Sequence, residues 1–476
     1  MPESRSDLLD QVIVGFAPAN DVKSLESARA EFQSRLTALE HKFAAFNVVI
    51  LDFFVTAPMA AIGWTATAVL KIRSRSVTEF LMQERPAFVS YWERNSSVTM
   101  CAAPNDPQFA RGQWGLQRIG ALENWATMVN APVTVAIVDS GLMWRWDTGA
   151  NGVRGTHEDL DGRVTPPPPF PPRLWVNPNE PPPADGVDND GDYFVDDFNG
   201  ARVVGKAPAG MYGDGEIGDE HGHGTMLAGI MFATTNNGLG LASPLSTYWP
   251  NVKLMSVKFL DADTRPKPAN AKQAIVYAVD KGAKVINLSW HVGPGNSGLR
   301  PIQEAIDYAR SAGALVVCAA GNDGSNNDRY PTYPANLGLK PDGTVLFDNV
   351  MAIHATDRRD HKPSFSNYGW RTVHLGAPGV RIATTRRHVS ATPNYGSMSG
   401  TSAAAAFVSI AAGMVLAVEA DRGRMLTPAQ LIQHLVATAA VFPQLRRCSA
   451  SSARLDLANA LNTPFQAAKD RPSKDA

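Results

Sequence analysis

The stretch "DEHGHGTMLAGI", residues 219 to 230, sets two histidines one residue apart, behind acidic residues and ahead of a small apolar run. An H-x-H pair can clamp a metal, because two neutral imidazoles on one loop can face one ion and acidic neighbours can complete its shell. His223 alone offers a different chemistry. It opens "HGTMLAG", where Gly224 permits a close backbone approach and Thr225 can start a helix, and an imidazole held there is a base near neutral pH.

Three more residues have types suited to chemistry. Asp139 closes the apolar run "VTVAIVDSG", Asn322 closes "ALVVCAAGNDG", and Ser402 lies in "GSMSGTSAAAAFVSIAAGM", where a Gly-rich approach meets a helix of very small residues. Each has an ordinary reading: an Asp after a strand caps or turns, Asn-Asp-Gly turns, and Ser before an Ala-rich helix is an N-cap. Their joint occurrence shifts the weight, since an acid, an imidazole, an amide and a hydroxyl appear in that chain role and order. The five-residue elbow of lipase-type hydrolases does not account for Ser402, because "GSMSG" has Met398 at its centre. The metal reading stays a minor alternative: the H-x-H pair has no convincing third and fourth ligand nearby, and a metal on His223 would quench the base.

From about residue 130 onward, the elements that must position these groups read as strands alternating with helices. "PVTVAIVDSG", "NVKLMSVKFL", "AKVINLSW" and "ALVVCAAGN" are β-branched apolar runs of the kind buried on both faces of a parallel sheet. "NAKQAIVYAVDKG" and "RPIQEAIDYARSAG" read as helices closed by glycine, and "LTPAQLIQHLVATA" opens with a capping box of Thr427 and Gln430 around Pro428. The expected fold is α/β, a doubly wound and mostly parallel sheet with its reactive residues at the carboxyl ends of strands. Residues 165 to 197, rich in proline and aspartate, read as a surface excursion.

Residues 12 to 95 read as a small separate α+β unit of order β-α-β-β-α-β, with "SVTEFLMQER" as its second helix. The expected domains are therefore 1–105, 106–463 and a loose tail, 464–476.

Composition narrows the classes. In 476 residues, 44 Lys plus Arg face 45 Asp plus Glu, a net charge of -1 that supplies no field for nucleic acid or anionic membrane. The 3 cysteines, Cys101, Cys318 and Cys448, form no disulfide framework, and Cys318 reads as a buried small hydrophobe. Neither residues 46 to 70 nor residues 403 to 418 has the length and purity of a membrane span. "MPESRSDLLDQVIVGF" lacks the pattern of a secretory signal, so the expectation is an intracellular protein or one exported by another route.

"VAIVDSG", "HGHGTMLAG", "VVCAAGNDG" and "MSGTSAAAAFV" resemble the signature blocks of the subtilisin-like serine proteases, in that family's Asp, His, Ser order, and scattered blocks such as "THEDLDGRV", "FSNYG" and "LGAPGV" extend the resemblance over roughly residues 104 to 460. It implies Ser402 as nucleophile, His223 as general base, Asp139 as its orienting acid and Asn322 as oxyanion donor, acting on a polypeptide through an acyl-enzyme. It also implies two cleft walls, Ser289, Trp290 and His291 on one side and Ala320 and Gly321 on the other. Two departures stand out: His291 replaces a usual glycine, and Ala406 and Phe407 stand where the family writes Pro-His. They leave a catalytically silent binding or scaffold protein as the second reading. Asp188, Asp190 and Asp192 in "DGVDNDGDYFVDD" resemble the first ligands of a calcium loop without its closing glutamate, so structural calcium and a solvated turn both fit. The first 105 residues resemble the family's propeptide, an intramolecular inhibitor, which implies a zymogen cut between about Asn95 and Asp106.

Overall fold

The computed structural model describes residues 11–16, 25–42, 49–59, 63–71 and 89–94, and residues 104–466 apart from 126, 144–156, 161–172, 181–183, 206, 246–247, 262–265, 293–297 and 388–393. The chain forms two compact units, Met1–Met100 and Cys101–Ala476.

The first unit contains β1 (Gln11–Phe16), α1 (Leu25–Lys42), β2 (Val49–Met59), β3 (Gly63–Lys71) and β4 (Val89–Arg94). Its sheet has the order β2-β3-β1-β4, with antiparallel neighbours throughout. Ala28, Phe32, Leu36 and Leu39 recur every three or four residues along α1 and are buried, the stripe a helix needs to cover a sheet. The Phe32 ring lies 6.2 Å from that of Phe16 on β1. The described part of the apolar run of residues 46 to 70 is thus strand, in β2 and β3. The second helix expected from "SVTEFLMQER" lies outside the described residues.

The second unit begins with two short helices, α2 (Pro107–Gly112) and α3 (Trp114–Arg118). Its strands are β5 (Val133–Asp139), β6 (Phe194–Val195), β7 (Gly200–Arg202), β8 (Gly213–Asp214), β9 (Val252–Lys258), β10 (Val285–Leu288), β11 (Leu315–Ala319), β12 (Val350–Thr356), β13 (Leu375–Pro378), β14 (Ile382–Thr385), β15 (Tyr395–Met398), β16 (Ala440–Val441) and β17 (Ala453–Arg454). Apart from the β14–β15 hairpin they form one sheet in the order β16-β17-β13-β12-β11-β10-β5-β9-β7-β8-β6. Every pair from β17 to β7 is parallel, and among the described residues only the β16–β17 and β7–β8 pairs of this sheet are antiparallel.

Period-two alternation assigns successive residues of the central strands to two cores. Val135 and Ile137 of β5 enter one with Leu315 and Val317 of β11, while Ala136 and Val138 enter the other with Val316 and Cys318. The first core is completed by α4 (His223–Phe232) and α7 (Thr401–Asp421), the second by α5 (Pro268–Asp280) and α6 (Leu299–Ser311). Helices α8 (Pro428–Ala437) and α9 (Leu457–Asn462) close the chain's described end. The capping box at α8 forms as expected: the Gln430 N–H donates to Thr427 Oγ1 at 3.3 Å and the Thr427 N–H to Gln430 Oε1 at 2.9 Å.

α7 is apolar and long enough to cross a membrane, yet 94% of its apolar window is buried inside this unit. Its small side chains let it run through the core beneath the sheet, and it passes unbroken through Ala406 and Phe407. The Phe407 ring lies so close to Gly115 that a Cβ there would come within 2.8 Å of it. The expectation for residues 165 to 197 needs correction: the described part does not simply loop over the surface. Trp175 and Phe194 are buried in the second core, and Phe194 and Val195 form β6 at the sheet's edge. Composition hid this, because two buried aromatics among many prolines and aspartates leave no periodic pattern.

Candidate active site

Three adjacent parallel strands, β5, β10 and β11, deliver their carboxyl ends to one edge of the sheet, and Asp139, Ser289 and Ala320 lie at those ends. Asp139 is fully buried. Its Oδ1 accepts the Ser140 N–H at 2.8 Å and the Nδ1–H of His223 at 2.7 Å. His223 is the first residue of α4, and several contacts tie that helix start to the end of β5. The Gly224 N–H donates to Ser140 Oγ at 2.9 Å, and the Met143 N–H to Thr225 Oγ1 at 2.9 Å. A Cβ on residue 224 would lie 2.1 Å from the Gly141 carbonyl oxygen, so only glycine lets the helix approach this closely.

Asp219, which the sequence reading passed over, caps α4 from outside. Its Oδ1 accepts the His221 and Gly222 N–H groups at 3.1 and 2.6 Å, and its Oδ2 accepts the Thr225 N–H and hydroxyl at 2.9 and 2.6 Å. These are orphan donors of a helix start, and a carboxylate there also suits the helix dipole. An Asp four residues before the helix's first residue was the available signal. Burial pulls the His223 pKa down, but the charge and hydrogen bond of Asp139, helped by the charge of Asp219, outweigh it and leave the imidazole above the ordinary histidine value. Lys258, fully buried at the end of β9, donates to the Gly218 carbonyl at 2.6 Å and pairs with Glu220, fastening the loop that leads into His223. His221 stands apart in function. Its ring centroid lies 6.2 Å from that of His223, and among the described residues neither histidine joins a group able to hold a metal.

Ser402 is the second residue of α7 and is buried. Its hydroxyl donates to the Ser289 carbonyl at 3.2 Å, and the Ser289 hydroxyl donates back to the Ser402 carbonyl at 3.3 Å. A buried chain continues behind them: Asn287 Nδ2 donates to Ser289 Oγ at 2.9 Å, and Ser409 Oγ to Asn287 Oδ1 at 3.0 Å. α4 and α7 pack against each other, so the two helix starts carrying His223 and Ser402 belong to one rigid layer.

Asn322 follows β11 and is exposed. Its Oδ1 accepts the Thr401 N–H at 2.9 Å and the Thr401 hydroxyl at 3.1 Å. With the oxygen engaged, the amide's two donors are left for something else, one residue from Ser402. Asn327 and Asn367, both fully buried, brace the strand before it by donating to the Ala320 carbonyl at 2.9 and 3.1 Å. The "FSNYG" block thereby gains a physical reason, since its Asn367 also accepts the Asp323 N–H at 2.9 Å. On the other side, Trp290 Nε1 donates to the Val138 carbonyl at 2.9 Å, and its ring packs 4.8 Å from that of Phe259. His291 is exposed, with Nδ1 3.2 Å from the Val292 carbonyl.

The acidic loop lies away from these central strands, beside β6 at one end of the sheet order. The ligand oxygens of Asp188, Asp190 and Asp192 lie within 4.8 Å of one another, as do those of Glu180, Asp190 and Asp197. An ammonium shares part of both groups: Lys281 Nζ is 2.5 Å from Asp190, 3.0 Å from Asp192 and 3.4 Å from Asp197. A calcium ion held by Asp190, Asp192 and Asp197 together would have to displace it.

The chain matches the Subtilase family over residues 130–466. It is 34% identical to thermitase of Thermoactinomyces vulgaris over 321 residues, spanning 67% of this chain and 86% of that protein. It is 31% identical to the thermophilic serine proteinase of Bacillus sp. (strain AK1) over 359 residues, spanning 75% of this chain and 69% of that one. Among solved structures, the epidermin leader peptide processing serine protease of Staphylococcus aureus shares the fold with a TM-score of 0.53 at 19% identity, over 96% of this chain and 99% of that one. The match of the family model to most of the chain, over a sheet and a strand-end constellation of this form, shows that the chain belongs to the subtilase family of serine proteases.

Proposed function

We propose that the chain is a serine endopeptidase in which Asp139, His223 and Ser402 act as a triad and Asn322 as an oxyanion donor. The observation that carries the reading is the 2.7 Å bond from His223 to the buried Asp139, which fixes the ring with Nδ1 protonated and Nε2 free to take a proton. In this reading the Ser402 hydroxyl leaves its resting contact with the Ser289 carbonyl and turns to His223. As its oxygen attacks the scissile carbonyl carbon, His223 takes the proton; the C–N bond then breaks and His223 returns that proton to the leaving amine. Water deacylates the enzyme by the same route. The developing oxyanion meets the Asn322 amide and the Ser402 N–H at the start of α7, where the helix end favours negative charge. The polypeptide lies between Ser289–His291 and Ala320–Gly321, and His291 narrows the cleft where a glycine would leave it open. The first unit serves as an intramolecular inhibitor until the chain is cut between about residues 95 and 106. The test is a serine-directed fluorophosphonate: it should stop hydrolysis of an unfolded polypeptide and add its mass to the peptide holding Ser402, and persistent turnover without that adduct would sink the assignment.

Asn322→Ala should lower kcat by about 10²–10³, a magnitude taken from the equivalent donor in subtilisin, itself a subtilase. Because Asn322 also holds Thr401, Asn322→Asp separates the roles: it keeps the acceptor for the Thr401 N–H but sets a negative charge against the oxyanion. Steady-state kinetics should show Asn322→Asp losing at least as much as Asn322→Ala, with KM little changed in both. Recovery of activity in the Asp variant would reduce Asn322 to a brace.

A further inference from the structure

We infer that the acidic loop of residues 188–197 takes its counter-charge from Lys281 of the same chain, so that a divalent cation enters this site only when the lysine is removed. The carboxylates around the loop divide into two sets. Asp188 closes the loop on itself, accepting the N–H groups of Gly191, Asp192 and Tyr193 at 2.7, 3.2 and 2.9 Å. Glu180 likewise accepts the Asn189 and Asp196 N–H groups at 3.0 and 3.2 Å. The other set, Asp190, Asp192 and Asp197, converges on Lys281 Nζ, whose side chain is only 11% exposed. Asn177 bridges Asp190 and Asp197 by donating to both at 3.0 and 2.8 Å, and the Tyr277 hydroxyl donates to Asp197 at 2.5 Å.

The ammonium stands where an ion would. Calcium keeps its oxygens at about 2.3–2.6 Å, so an ion sharing these three carboxylates would sit against Nζ, and two cations at such a distance repel strongly in a partly buried site. Access is not what excludes an ion, because a cavity of about 570 Å³ lined by Asp190, Asp192, Tyr212, Tyr277 and Lys281 opens beside the cluster. Lys281 also follows directly on α5, whose carboxyl end favours a cation. Burial opposes the charge on Lys281, but its bonds to Asp190 and Asp192 and the charge of Asp197 outweigh that and hold it above the ordinary lysine value. One oxygen marks what the lysine leaves over: Asp190 Oδ1 is buried without a partner, and a cation replacing Nζ would find it.

The test uses the full chain carrying Ser402→Ala, which prevents self-digestion, at about pH 8, above the value of about 7 to which burial pushes Asp197. In chelator, Lys281→Met should lower Tm by about 5 °C, because three carboxylates then face one another unpaired. Millimolar calcium should restore most of that loss, and adding Asp190→Asn should cancel the restoration. Lys281→Arg should behave as the parent does. An equal calcium response in the parent and in Lys281→Met overturns the inference. Should Lys281→Met not fold, terbium luminescence of the parent decides: a signal unaffected by Asp190→Asn supports the lysine, and one removed by Asp190→Asn places a metal there.

Discussion

Ser402→Ala should abolish peptide hydrolysis, lowering kcat by about 10⁶-fold, the loss found when the nucleophile is removed from subtilisin, itself a subtilase. The fold should survive the change. The hydroxyl makes one bond to the Ser289 carbonyl, and deleting one such neutral bond costs about 1 kcal/mol, small beside the two cores on either face of the sheet. Activity and stability are therefore expected to separate: thermal unfolding little altered, turnover gone. The same pair of proteins tests self-processing. If the chain cuts itself, the parent recovered from its source should have a mass that begins between about residues 95 and 106, and the Ser402→Ala protein should retain its first unit. A parent freed of its first hundred residues that still turns over no polypeptide would favour the silent scaffold, and would make His291 and the Ala406–Phe407 pair the residues to explain.

The central sheet was legible in the sequence because burial on both faces leaves a distinctive mark. A run such as "VTVAIVD" has room for almost no polar residue, and β5, β9, β10 and β11 stand where such runs predict them. Near the chain's end, α8 showed its start through the capping chemistry at Thr427. The short strands toward the ends of the sheet were not legible. β6, β8 and β16 have two residues each, too short for any period, and they exist because a neighbouring strand offers hydrogen bonds.

Legibility at the site followed the same division. Asp139, His223, Asn322 and Ser402 sit in local contexts specific enough to single out. Most of their supports do not: Lys258, Asn287, Thr401 and Asn367 act across distances in sequence that no local pattern reports. Thr401 and Asn322 are 79 residues apart yet share two hydrogen bonds, and Lys258 reaches back 40 residues to Gly218. The acidic loop depends on a distant residue in the same way. Its spacing resembles a calcium loop, and the lysine that pairs with its carboxylates, Lys281, lies 91 residues beyond Asp190, where no reading of the loop alone would find it.

Asp139→Asn should lower kcat by about 10⁴-fold, of the order found for the corresponding acid in subtilisin, and should move the acid limb of the pH profile. The sign follows from what holds the His223 proton. The base works only when its ring is neutral, so the rate falls as pH drops through the His223 pKa, which Asp139 raises above the ordinary value against the pull of burial. With asparagine in place, burial is opposed only by Asp219, and the limb should shift to lower pH even as its plateau collapses. Geometry adds a second cost. Asp139 Oδ1 already takes both the Ser140 and His223 N–H groups, and Oδ2 is buried without a partner. Asparagine must either bury its amide hydrogens unpaired or turn them toward two donors, and each choice disturbs the ring. The measurement is kcat against pH for the two proteins, with thermal unfolding alongside to show that the variant is folded. A limb that keeps its midpoint in the variant would mean that the titrating group is not His223, and the roles assigned to both residues would fall together.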